Sequence, residues 1–180
     1  MHRLFVAFRP PALIRNQLIG LMGGVAGARW QDDAQLHLTL RYIGPVERQI
    51  AEDVAIALSA VRAQPFEIAL SGMGCFEHKG RIEAIWAGVS PRDPLAALHR
   101  KVDQALVRAG LETEHRAYSP HITLARFGRV HDGLEGFLAD NAALTSQPFS
   151  VDGFALYESH LGKGGAHYEA IAEYPLGRAG

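Results

Sequence analysis

The chain is predicted to be an α+β protein of two pseudo-symmetric lobes. Each lobe is expected to be a mostly antiparallel sheet with helices on its outer face, and the site is expected in the cleft between them. Three observations predict this. Strand-like apolar runs alternate with stretches of helical period. A ten-residue segment recurs 84 residues further on. The composition, 48% hydrophobic and 21% charged over 180 residues, is that of an ordinary globular chain, and a chain of this size buries roughly 70% of its unfolded surface without disulfides or structural metal.

Taken in order, Arg3–Phe8 is a short apolar run closed by Pro10-Pro11 and reads as a buried strand. Residues 11–22 place Leu13, Ile14, Leu18 and Leu21 at helical spacing behind N-terminal prolines. Leu36–Ile43 reads as a strand closed by Gly44-Pro45, and residues 47–62 as a helix carrying Ile50, Val54, Ile56, Leu58 and Val61. Phe66–Cys75 and Arg81–Val89 are strands joined by a polar turn around Lys79-Gly80. Residues 93–109 form the clearest helix, with Leu95, Leu98, Val102 and Leu106 on one face and Gly110 at its end. Strands at 118–127, 149–158 and 168–174 and a helix at 132–143 complete the chain.

The order is a duplication. His37-Leu38-Thr39-Leu40 through Val46 aligns with His121-Ile122-Thr123-Leu124 through Val130. Pro65-Phe66 matches Pro148-Phe149, and Glu83-Ala84-Ile85 matches Glu169-Ala170-Ile171, at nearly the same separation. Residues 1–180 are therefore expected to form one domain built from two repeats, about 1–80 and 81–180.

Alternation along a strand puts His37, Thr39 and Arg41 on one face and Leu38 and Leu40 on the other. His121 and Thr123 likewise share a face. A single His-x-Thr is common; a duplicated fold has no structural need to keep both while its other solvent-facing positions diverge. Two facing imidazoles suit proton transfer at both ends of a displacement, one as base and one as acid, each expected to titrate near neutrality. The threonine hydroxyls add hydrogen-bond donors for developing anionic oxygens. The pattern fits phosphoryl transfer on a small ester with an internal leaving group.

The paired tetrapeptides resemble the two HxTx motifs of the 2H phosphoesterases. The closest likeness is to the RNA 2′,3′-cyclic phosphodiesterases formerly called 2′-5′ RNA ligases, with Arg3–Phe8, Trp30, Tyr118-Ser119-Pro120 and the stretch from Tyr157 to Leu176 resembling the family's surroundings. The resemblance implies metal-independent, cofactor-free hydrolysis of an RNA-terminal 2′,3′-cyclic phosphate to a 2′-phosphomonoester and a 3′-hydroxyl, and joining of 2′-5′ linkages in reverse. It makes His37 the proton donor, His121 the proton acceptor, and Thr39, Thr123 and Arg126 the phosphate contacts. Strict alternation sets Arg126 opposite His121, so its role requires a bulge; Arg41 is the second choice. A 2H enzyme on a cyclic nucleotide or ADP-ribose cyclic phosphate, or a silent RNA-binding module, are the alternatives. Tyr42 is expected to pack in the core, and Phe127 is a candidate for base stacking.

The remaining features exclude more than they suggest. A net charge of −1 excludes a broad basic surface for duplex DNA. The single cysteine, Cys75, excludes an internal disulfide and fits a reducing compartment. With no apolar run long enough for a bilayer and an N-terminus too short for a signal peptide, a cytoplasmic monomer acting on single-stranded RNA ends or tRNA fragments is expected. The other histidines, including His99 in mid-helix and His78 and His160 at hairpin turns, show no metal-ligand spacing and are expected at the surface. Gly162-Lys163-Gly164-Gly165 is expected to be a hairpin loop, with Lys163 within reach of RNA.

Overall fold

The computed structural model describes residues 1–177. Its strands are β1 (His2–Phe8), β2 (Ala26–Trp30), β3 (Leu38–Val46), β4 (Phe66–His78), β5 (Arg81–Ser90), β6 (Ile122–Asp132), β7 (Phe149–Val151), β8 (Gly153–Gly162) and β9 (Gly165–Pro175). The helices are α1 (Ala12–Leu21), α2 (Arg48–Leu58), α3 (Asp93–Arg108) and α4 (Leu134–Asp140). The strands run in the order β7-β4-β5-β6-β3-β1-β8-β9, with β2 beside β6, and every paired neighbour is antiparallel.

The two expected lobes are the two ends of this sheet. One holds β1, β3, β8 and β9; the other holds β4 to β7. They join through one register pair, Leu38 opposite Ile122. Corresponding strands are exchanged. The outer neighbour of β1 is β8, from late in the chain, and that of β5 is β4, from before it. Each lobe therefore mixes both parts of the chain.

The helices form because their apolar residues recur once per turn and find the sheet's inner face. Ile14 and Leu18 of α1, Val54 and Leu58 of α2, and Leu95, Leu98, Val102, Ala105 and Leu106 of α3 are all buried. Among the described residues the buried core contains no polar or charged side chain, so every candidate chemical group lies in the cleft or on the surface. Among the described residues no helix is long and apolar enough to cross a membrane.

Several element boundaries move. The run expected at 149–158 breaks at Asp152 into β7, which pairs with β4, and β8, which pairs with β1. Gly44-Pro45 does not end β3, which continues to Val46 with Gly44 at φ 88°. The strand after His121 extends to Asp132 because β2, which no periodicity signalled, pairs along it.

Leu38 is fully buried at the join between the lobes. Leu38→Ala is expected to cost about 2–5 kcal/mol, as large-to-small changes in a packed core do. A fall in the denaturant midpoint with an unchanged m value will show it.

Candidate active site

The two motifs are placed by their apolar residues. Leu38, Leu40, Ile122 and Leu124 are at most 1% exposed, so burying them holds the alternate residues toward the cleft. His37 directly precedes β3 and His121 directly precedes β6, flanking the pair that joins the lobes. Thr39 and Thr123 follow, both half-buried.

After each threonine the ladder slips by one residue. Ala7 faces Thr39 and Val6 faces Arg41, so Leu40 has no partner on β1. Trp86 faces Thr123 and Ile85 faces Ala125, so Leu124 has none on β5. These are matching β-bulges, one in each lobe. Their carbonyls find partners elsewhere: His99 Nδ1 donates to Leu40 O at 2.6 Å, and the Gln31 backbone N–H donates to Leu124 O at 2.8 Å.

A bulge resets alternation and changes the outcome for four residues. Arg126 is exposed, and its charge acts on His37, His121 and Tyr168 together. Arg41, expected beside His37, is instead drawn to α3. Its Nε donates to Asp103 Oδ1 at 2.9 Å and another nitrogen to Glu112 O at 2.6 Å, with Tyr42 O as a third acceptor. Its donors anchor the 111–116 loop. Tyr42 is 46% exposed, not in the core; it faces Phe5 as Arg126 faces Ala84, the equivalent place in the other lobe. Phe127, a stacking candidate in the sequence, is core.

Each catalytic candidate is held the same way. His37 Nδ1 lies 2.7 Å from Gln35 O, and His121 Nδ1 lies 2.7 Å from Ser119 O. A carbonyl oxygen only accepts, so Nδ1 carries the proton and Nε2 is left for chemistry. Gln35 is itself fixed, capping the turn at Asp32 and donating from Nε2 to Ala166 O at 2.9 Å. Before His121, Tyr118 donates to Thr39 O at 2.9 Å and stacks on His99 at 4.2 Å, so His99 is half-buried, not a free surface residue.

Aromatic rings complete the walls. Phe5 and Tyr168 lie 5.0 and 5.2 Å from His37, and Phe76 and Trp86 lie 4.8 and 6.2 Å from His121. Trp86 sits over Gly74, where a Cβ would come within 2.5 Å of the ring, and its buried Nε1 has no hydrogen-bond partner. None of these four rings was singled out as a site residue in the sequence, because strand pairing alone brings them to the motifs. The near-neutral titration expected of both histidines does not hold for His37. Burial pushes His37 down to about 4, with the positive charges of Arg126, His121 and Arg9 adding to it; burial and Arg126 also lower His121.

Comparison with known proteins follows the same lines. The family model described as the 2′-5′ RNA ligase superfamily matches residues 25–163. A Thermotoga maritima protein named RNA 2′,3′-cyclic phosphodiesterase is 31% identical, over 82% of this chain and 79% of that one. A Geobacillus stearothermophilus protein of the same name is also 31% identical over 82% of this chain, which spans 47% of that relative. Among solved structures, E. coli LigT complexed with 3′-AMP is similar at a TM-score of 0.76 and 25% identity, over 98% of this chain and 99% of that one.

A depressed histidine pKa makes stability pH-dependent. The unfolded chain takes up the His37 proton near 6.5 while the folded one resists it to about 4, so this contribution is present above 6.5 and is lost as pH falls toward 4. Equilibrium unfolding at a series of pH values is expected to show that loss, and a smaller one in His37→Gln.

Proposed function

We propose, from the premise that this chain belongs to the 2′-5′ RNA ligase superfamily, that it is an RNA 2′,3′-cyclic phosphodiesterase. The observation that carries the reading is the matched pair of imidazoles, each with Nδ1 tied to a carbonyl two residues back and both within the field of Arg126.

In this reading the cyclic phosphate lies between His37 and His121. His121 Nε2 takes a proton from water as its oxygen attacks phosphorus. The P–O3′ bond breaks, and His37 gives its proton to O3′. The product keeps phosphate on the 2′ oxygen and has a free 3′-hydroxyl; solvent then resets both histidines. Thr39, Thr123 and Arg126 hold the non-bridging oxygens as charge develops on them. Arg41, held by Asp103 and Glu112, supports the loop beside the site.

The low His37 pKa fits an anionic substrate. Alone in the cleft, His37 is neutral at pH 7; a phosphate monoanion beside it favours the imidazolium and offsets the charge of Arg126. His37 takes that proton from solvent as the anion binds. Since the two histidines carry both protons and Arg126 supplies positive charge, the reading requires no metal ion. With a 5′-hydroxyl in place of water, the same displacement forms a 2′-5′ linkage. Tyr42, Phe76 and Tyr118 line a pocket beside His121, and aromatic surfaces of this kind stack unpaired bases. We place the activity on single-stranded RNA ends or tRNA fragments, in the cytoplasm, with the chain a monomer.

His37→Ala and His121→Ala should each lower kcat/KM by about 10²–10⁴-fold, the range for a general acid or base. Wild-type kcat/KM should peak on the acid side of neutrality. It falls at higher pH as His37 loses its proton and at lower pH as His121 gains one. Full activity in either alanine variant removes that histidine from the chemistry. An oligonucleotide ending in a 2′,3′-cyclic phosphate should be opened in EDTA to a product whose phosphorus NMR signal is that of a 2′-phosphate. Preference for a cyclic mononucleotide would shift the reading to the small-ester alternative, and tight binding without turnover to a silent RNA-binding module.

A further inference from the structure

The β8–β9 hairpin carries a second cluster of chemical groups. Its register sets Glu158 opposite Glu169 and His160 opposite His167. Residues two apart on a strand share a face, so these four side chains form a square. His2, at the start of β1, joins it with Nδ1 2.7 Å from Glu158 Oε1. The hairpin's other face carries Tyr157 and Tyr168, which pack on Phe5, and Tyr168 also meets His37. The square therefore looks away from the cleft.

Two features make this more than a set of ion pairs. Carboxylates directly opposite one another across an antiparallel pair repel. Yet among the described residues, every ion-pair partner of Glu158 and Glu169 is a histidine, and none is Lys or Arg. A dication held by both carboxylates would offset that repulsion. The spacing also suits one. His160 Nε2 lies 3.1 Å from Glu169 Oε2 and 3.9 Å from Glu158 Oε2, and one ligand atom from each of the three residues lies within 4.8 Å of the others. Donors around a tetrahedral ion with bonds of about 2.1 Å stand about 3.4 Å apart. The observed distances bracket that value.

We infer that the outer face of this hairpin binds one Zn²⁺ ion through Glu158, His160 and Glu169, with His2 and His167 at hand to complete the coordination. Mixed imidazole and carboxylate donors suit zinc better than the all-oxygen shells of calcium or magnesium. The ion takes no part in hydrolysis, because the sheet separates it from His37. It clips the far end of the hairpin to β1 and stiffens the strand that sets Tyr168 against His37. No spacing along the chain announces it, since the three ligands come from two strands and His2 from a third.

The test uses the untagged full chain, stripped with EDTA, dialysed and titrated with zinc chloride by calorimetry. Saturation at one zinc per chain is expected. His160→Ala/Glu169→Gln should weaken binding by more than the about 10–100-fold that outer-shell changes cost, while His37→Ala/His121→Ala keeps it. Zinc should raise hydrogen-exchange protection of amides 158–169 in the wild type and not in the His160/Glu169 variant, whose far-UV spectrum without zinc should match the wild type. The site is overturned by absence of stoichiometric binding, by binding that survives loss of His160 and Glu169, or by binding that disappears with His37 and His121. None of these results depends on whether the cleft hydrolyses RNA.

Discussion

Leu38 and Ile122 face each other across the register pair that joins the two lobes, and both are fully buried. The pair is worth little as an isolated contact. Its importance is geometric: it sets two matching His-x-Thr tripeptides level with one another on neighbouring antiparallel strands. Each motif then begins on an imidazole at one side of the join and continues to a hydroxyl at the other. The exchange of β4 and β8 builds each lobe from both parts of the chain, so the segments leading into β4 and β8 cross from one lobe to the other.

From that fixed point, one extra residue per lobe decides which side chains enter the cleft. The bulges at Leu40 and Leu124 shift the residues just after them to the opposite face; in β3 a second slip, at Ile43, resets the alternation again. In one lobe the shift delivers a guanidinium, Arg126; at the equivalent place in the other it delivers a phenol ring, Tyr42. Arg41, which would have stood beside His37 in a regular strand, becomes a strut to α3 through Asp103. A near-symmetric scaffold thus yields an unsymmetric site.

The electrostatics follow from where these groups sit. Aromatic rings and the lobe junction take both imidazoles out of water, and burial of a histidine disfavours its charged form. Arg126 pushes in the same direction. A cleft that resists protonation while presenting a guanidinium and two hydroxyls is tuned to receive negative charge from outside. The carbonyls of Gln35 and Ser119 keep the ring tautomers ready for it.

The repeated alternation of apolar and polar residues was enough to read the fold class, the four helices, most strands and the two histidine motifs, because each is a local pattern with its own period. The strand exchange, the partnership of β2 with β6, the freeing of Arg126 and the capture of Arg41 were not legible. Each depends on which distant strand lies alongside, and a bulge exists only relative to that neighbour. The same holds for the pKa of His37, set by rings from β1 and β9, and for the histidine–glutamate square on the hairpin, whose members adjoin only across strands. The order of residues along the chain determined what chemistry was present; long-range pairing decided which groups could meet, since strand register is a property of two segments and not of one.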